Sequence, residues 1–299
     1  MSWQLACLNA GLRLIAKPKL RLTPGPEAAE REFRRTAALA LRHPPYLRHV
    51  VRPGGLHWIS AGSCAPGRVI LYFHGGGYVS GSPETHAGLM GRLSKLSGVE
   101  VCAPRYPMAQ LAPAPAQFDS AVAAWAALAR LGYRPGDVVL AGDSAGGGLA
   151  LALLAHLCAA GTPPAGALAF SPWTDLAMTG ESLVRNRRAD PFLPVERIEE
   201  LVEVVLGGTD ARDPRISPLY GAFPGCPPVL IQYAGTEILA DDARRMAARL
   251  RDFGAEVTED VHPGAPHAWQ CFDGWIPEAR AALRRAAGFV QTSLAATSR

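Results

Sequence analysis

Asp137-Val-Val-Leu-Ala-Gly142-Asp143-Ser144-Ala145-Gly146-Gly147-Gly148-Leu-Ala-Leu151 carries a short apolar β run, through a turn of small residues, into an apolar helical run. Ser144 stands at the junction. Gly142, Ser144 and Gly146 fit the G-x-S-x-G pattern, in which a sharp strand-to-helix turn lifts a serine hydroxyl clear of the sheet. Such a turn crowds the backbone, so only small residues fit around the serine, and Gly142, Ala145, Gly146 and Gly147 meet that demand. The helix expected over 147–160 aims its unpaired amides and positive end at charge developing beside Ser144.

Upstream, Arg68-Val-Ile-Leu-Tyr-Phe-His74-Gly75-Gly76-Gly77-Tyr78 is a buried-strand pattern running into three glycines. A serine that attacks a carbonyl creates an oxyanion, and a glycine run after a strand presents backbone N–H groups with nothing in their way. An isolated Gly-rich turn is common; the pair of motifs is far more specific.

On these residues the sequence resembles the hormone-sensitive-lipase-like bacterial esterases of the α/β-hydrolase superfamily, which carry HGGG and GDSAG motifs. The likeness runs from about Val69 to the C-terminus. At Tyr106, Pro113, Pro115 and Asp119 the chain keeps the outline of a further family segment but lacks its glutamate.

Strand and helix patterns alternate through the 299 residues with no serine-rich or charged linker. The expected fold is therefore a single α/β-hydrolase domain, a mainly parallel central sheet flanked by helices. Residues 1–50 read as two helices broken at Pro18 and at Thr23-Pro-Gly-Pro, and 177–220 break the strand–helix rhythm. The resemblance implies that these two segments form a helical cap. Basic residues near the first helix end (Arg13, Lys17, Lys19, Arg21) suit packing on the main domain or, alternatively, a membrane surface.

Net charge is +4 with both signs interspersed, so no nucleic-acid footprint is expected. No apolar run reaches bilayer length and no signal peptide is evident, which points to a cytoplasmic protein without stable membrane insertion. The six cysteines lack C-x-x-C spacing and read as small hydrophobes, not as disulfides or a zinc site. A homodimer is left open.

Serine is a weak nucleophile without a base, and a histidine base needs an acceptor to fix its tautomer. In this fold the order is Ser, acid, His. Three histidines follow Ser144. His156 lies along the helix leaving the turn, ~18 Å away at 1.5 Å per residue, and suits packing. His267, in Pro263-Gly-Ala-Pro-His-Ala-Trp269, sits in a loop after a strand and matches the family's histidine; His262 is the fallback. The acid is expected at Glu237, in Gly235-Thr-Glu-Ile-Leu-Ala-Asp241-Asp242, where the family usually has aspartate. Asp241 is the alternative, otherwise read with Asp242 as helix-N-terminal acids that favour the dipole.

The expected site is thus Ser144, Glu237 and His267, with Gly75, Gly76, Gly77 and Ala145 around the oxyanion, His74 and Asp143 orienting loops, and no metal or cofactor. Trp3, Phe33, Tyr78, Trp173, Phe192 and Trp269 are candidates for an acyl pocket or simply core. The chemistry implied is hydrolysis of small or short-acyl esters. Alternatives are an amide or acetyl substrate on a larger metabolite with the same triad, or a ligand-binding protein on the hydrolase fold.

Overall fold

The computed structural model describes residues 1–52 and 55–297. Among the described residues eight strands form one sheet: β1 (Leu47–Val51), β2 (Leu56–Ala61), β3 (Val69–Phe73), β4 (Glu100–Pro104), β5 (Val138–Asp143), β6 (Gly166–Phe170), β7 (Val229–Ala234) and β8 (Val257–His262). Their order is β1-β2-β4-β3-β5-β6-β7-β8. The pairs β1/β2 and β2/β4 are antiparallel and every later pair is parallel.

Strands buried on both faces must be apolar throughout, and β3 shows how the faces divide. Val69, Leu71 and Phe73 join one core cluster while Ile70 and Tyr72 join the other. The first cluster is completed by α5 (Ala116–Arg130), α6 (Ala145–Ala159) and α9 (Ala240–Asp252); the second by α4 (Ala87–Ser97) and α10 (Pro277–Ala296). At about 1.5–3 kcal/mol for each fully buried Leu, Ile or Phe, this two-sided packing is the main stabilising term. Helix α6 is nearly all apolar because it is buried almost all round, and it starts at Ala145, directly after Ser144.

The N-terminal segment departs from expectation. Pro18 does not break it: α1 (Trp3–Gly11) runs on through a π turn over Leu12–Ala16 into α2 (Lys17–Leu22). Within that turn Lys17 N donates to Leu12 O, five residues back, and the wider spacing makes room for a ring without an N–H. The break falls at the second expected place, before α3 (Gly25–Ala40). The 177–220 stretch holds α7 (Ser182–Arg185) and α8 (Ile198–Leu206). Lys17 Nζ donates to the carbonyls of Arg187 and Asp190, and Arg13 to that of Ala189, so the two segments are joined. Among the described residues no helix is long and apolar enough to cross a membrane.

Candidate active site

The turn after β5 is built as its sequence demands. Ser144 has φ 54° and ψ −123°, a conformation that costs about 1–3 kcal/mol and persists only when its surroundings enforce it. The enforcement is steric. A Cβ on Gly146 would lie 2.1 Å from Phe73 O, and one on Gly142 would lie 2.3 Å from Gly146 O. Ser144 N donates to Phe170 O at 2.8 Å, tying the turn to β6.

Glu237 follows β7 and His267 follows β8, so both reach the carboxyl edge of the sheet where β5 ends. His267 Nε2 lies 2.8 Å from Ser144 Oγ, and His267 Nδ1 lies 2.8 Å from Glu237 Oε2. Glu237 is fully buried and His267 is 3% exposed. Burial drives the Glu237 carboxyl above its ordinary value against the pull of His267. Burial also acts to lower His267, but the charge and hydrogen bond of Glu237 outweigh it and hold the imidazole above its ordinary value.

The alternatives are placed elsewhere. His262 accepts from Gly264 N through Nδ1, and His156 is an exposed ring edge-on to Phe118. Asp241 lies outside the Ser144–His267–Glu237 hydrogen-bond chain, and the reading of Asp241 and Asp242 as simple dipole acids is too weak. Asp241 accepts from Ser182 N and Arg185, and Asp242 from the amides of Thr174 and Asp175. Both are buried struts between α9 and the segment after β6.

Three residues that sequence reading passed over support Glu237. Ser171, fully buried at φ 46°, bonds Glu237 through its hydroxyl and accepts from Ala268 N at 3.1 Å. Asn186 Nδ2 donates to the carbonyls of Gly235 and Glu237. Asp190 accepts from Ile238 N at 2.9 Å, as well as from Phe192 N and Leu193 N. Ser171 stands out only as a polar residue closing an apolar run, and Asn186 and Asp190, in the polar stretch Arg185-Asn-Arg-Arg-Ala-Asp190, carry no advance signal.

In the glycine loop, Gly75 N donates to Asp143 Oδ1 at 3.0 Å, so its amide is engaged and its part is to brace the turn; this corrects its place among the oxyanion donors. The amides of Gly76, Gly77 and Ala145 have no protein acceptor among the described residues. Asp143 also accepts from Tyr72 Oη at 2.7 Å. His74 is buried, held neutral with its value pushed down to about 3 by burial, and its carbonyl accepts from Tyr106 Oη at 2.6 Å. His74 and Asp143 therefore do hold the loops. Of the aromatics, Trp3 is 73% exposed, whereas Tyr78, Trp173 and Trp269 are buried.

Residues 70–271 match the family model for the alpha/beta hydrolase fold. An acetyl-hydrolase of Streptomyces hygroscopicus is 41% identical over 76% of each chain, and an esterase of Acinetobacter venetianus is 35% identical over 76% of this chain and 75% of its own. The crystal structure of an esterase from the bacterial hormone-sensitive lipase family superimposes with a TM-score of 0.91 at 33% identity, covering 98% of this chain and 99% of that one. With its strand order, its serine turn and these relatives together, the chain belongs to the α/β-hydrolase family, in the hormone-sensitive-lipase-like branch.

Proposed function

We propose that the protein is a serine carboxylester hydrolase acting on small or short-acyl esters through an acyl-enzyme intermediate. The observation that carries this reading is the relay of two 2.8 Å contacts, Glu237 to His267 and His267 to Ser144. His267 takes the hydroxyl proton as Ser144 Oγ attacks the ester carbonyl, and Glu237 stabilises the imidazolium that results. The amides of Gly76, Gly77 and Ala145 receive the oxyanion. His267 then gives its proton to the leaving alcohol, and water repeats the sequence to free the acid. No step calls on a metal or cofactor.

Residues 1–50 and 177–220 act as the cap. Leu201 of α8 supports this, since its Cδ2 would stand 3.0 Å from a Cβ placed on Gly77. An acyl group bound beside the oxyanion loop is then bounded by α8, which favours short chains. The relative named acetyl-hydrolase agrees with that size. All six cysteines are free, which suits a reducing compartment, and we place the enzyme in the cytoplasm.

Hydrolysis of p-nitrophenyl esters from acetate to palmitate tests the reading. Turnover falling beyond short chains and vanishing in Ser144→Ala supports it. Full activity in the alanine variant, or preference for long emulsified chains, overturns it.

A further inference from the structure

Around Asp143, whose carboxylate braces Gly75, three side chains from distant parts of the chain converge. His86 is the residue before α4, Asp143 ends β5, and Cys271 lies in a short 3₁₀ turn after His267. One donor atom from each lies within 4.8 Å of the others. His86 and Asp143 are nearly fully buried, and His86 Nε2 is 3.4 Å from Asp143 Oδ2.

The hydrogen bonds around His86 fix which nitrogen faces the cluster. Thr85 Oγ1, which can donate to Ser82 O, lies 2.9 Å from His86 Nδ1. Ser82 O, 3.3 Å from the same nitrogen, can only accept. Nδ1 thus lies among oxygens able to accept a proton from it, and Nε2 is the nitrogen that faces the carboxylate of Asp143. A histidine whose far N–H is held by oxygen acceptors while the near nitrogen points at other ligands is the arrangement that a metal-binding imidazole requires.

From these contacts we infer that His86, Asp143 and Cys271 form a binding site for a divalent transition metal, of the zinc or cobalt kind, which down-regulates the enzyme. A tetrahedral zinc with bonds of about 2.0–2.3 Å spaces its nitrogen and oxygen ligands about 3.4 Å apart and its sulfur edges about 3.6 Å. The histidine–aspartate edge, 3.4 Å, already has that length, and the sulfur, within 4.8 Å of both partners, needs to close each edge by about 1.2 Å at most. A mixed N, O and S donor set selects zinc or cobalt over magnesium or calcium. On binding, the metal–sulfur bond replaces the S–H bond of Cys271 and its proton goes to solvent, while His86 binds through the unprotonated nitrogen.

The effect on turnover follows from what else Asp143 holds. Its Oδ1 accepts from Gly75 N and from Tyr72 Oη, and a Cβ on Gly75 would lie only 2.1 Å from Oδ2. A cation on Oδ2 draws charge from the bond that braces the oxyanion loop and shifts the carboxylate against backbone that has no slack. This effect rests on the proposed hydrolase reading; the binding itself does not.

Cobalt titration of the chelator-treated full chain tests the binding. A thiolate-to-cobalt charge-transfer band in the wild type and in Ser144→Ala, absent from Cys271→Ser and His86→Gln, is the expected result. No band in the wild type, or an undiminished one in Cys271→Ser, overturns the site. Zinc inhibition of p-nitrophenyl acetate hydrolysis tests the regulation, with metal-free Cys271→Ser retaining wild-type turnover as proof of folding. Its half-inhibitory zinc concentration should rise at least tenfold. Equal sensitivity of the two proteins would assign the inhibition to another site, such as His267, and overturn the regulatory claim.

Discussion

Asp190 Oδ2 accepts the backbone amide of Ile238, the residue directly after Glu237, across 2.9 Å and 48 positions of sequence. Glu237 is thus held from the 177–220 segment as well as from its own strand. Because Asp190 is fully buried and accepts three amides, Asp190→Ala leaves three donors unsatisfied, each at about 1–3 kcal/mol. The expected outcome is a clearly lower Tm together with a roughly 10- to 100-fold loss of kcat as Glu237 drifts. Wild-type kcat in a folded Asp190→Ala protein would show that the acid loop needs no such support.

Glu237→Gln keeps the shape of the side chain but removes the charge that stabilises the imidazolium, and kcat should fall by about 10³–10⁴-fold. Asp241→Asn should leave kcat within a few-fold of wild type. It weakens a buried acceptor of Ser182 N and Arg185 instead, which a thermal melt will register. Steady-state kinetics of the two variants side by side separates the acid from its neighbour.

The pH profile follows from the same pair. The proposed mechanism needs neutral His267, and Glu237 raises the imidazole above its ordinary 6.5, so activity should fall as pH drops through that raised value. The acid limb of kcat/KM should therefore lie above pH 6.5. In Glu237→Gln the imidazolium loses its anionic partner, and whatever activity remains should have its limb shifted toward lower pH. A limb that stays put would show that the carboxylate does not set the histidine's affinity for protons.

Gly146→Ala tests the serine turn without touching any reacting group. Its new Cβ would meet Phe73 O at 2.1 Å and His74 O at 2.3 Å, both backbone atoms of the β3 end. Overpacking of this kind should cost about 3 kcal/mol and displace the glycine loop from Ser144. Soluble yield and Tm should fall with activity; an unaltered melt would mean that the turn relaxes.

Some of this was readable in the chain and some was not, for a physical reason. The serine turn and the His74–Gly77 loop are local: their spacing is dictated by backbone geometry over a few residues, so they stand in the sequence undisguised. Glu237 and His267 were reachable through the family resemblance, on loops that a parallel sheet delivers to one edge. Ser171, Asn186 and Asp190 had no such signal, since each serves Glu237 through contacts made only when separate loops meet. Pro18 was misread because a proline rule written for regular helices overlooks a π turn that admits the ring. Cys271 illustrates the same limit, for neither His86 nor Asp143 is near it in sequence.

Arg13 and Lys17 grip the 187–190 loop by main-chain oxygens, which every amino acid supplies. The side chains of Arg187, Arg188 and Ala189 can therefore drift without unfastening the N-terminal helix, and an evolving lineage can rewrite that loop's outward chemistry while its anchorage is inherited intact.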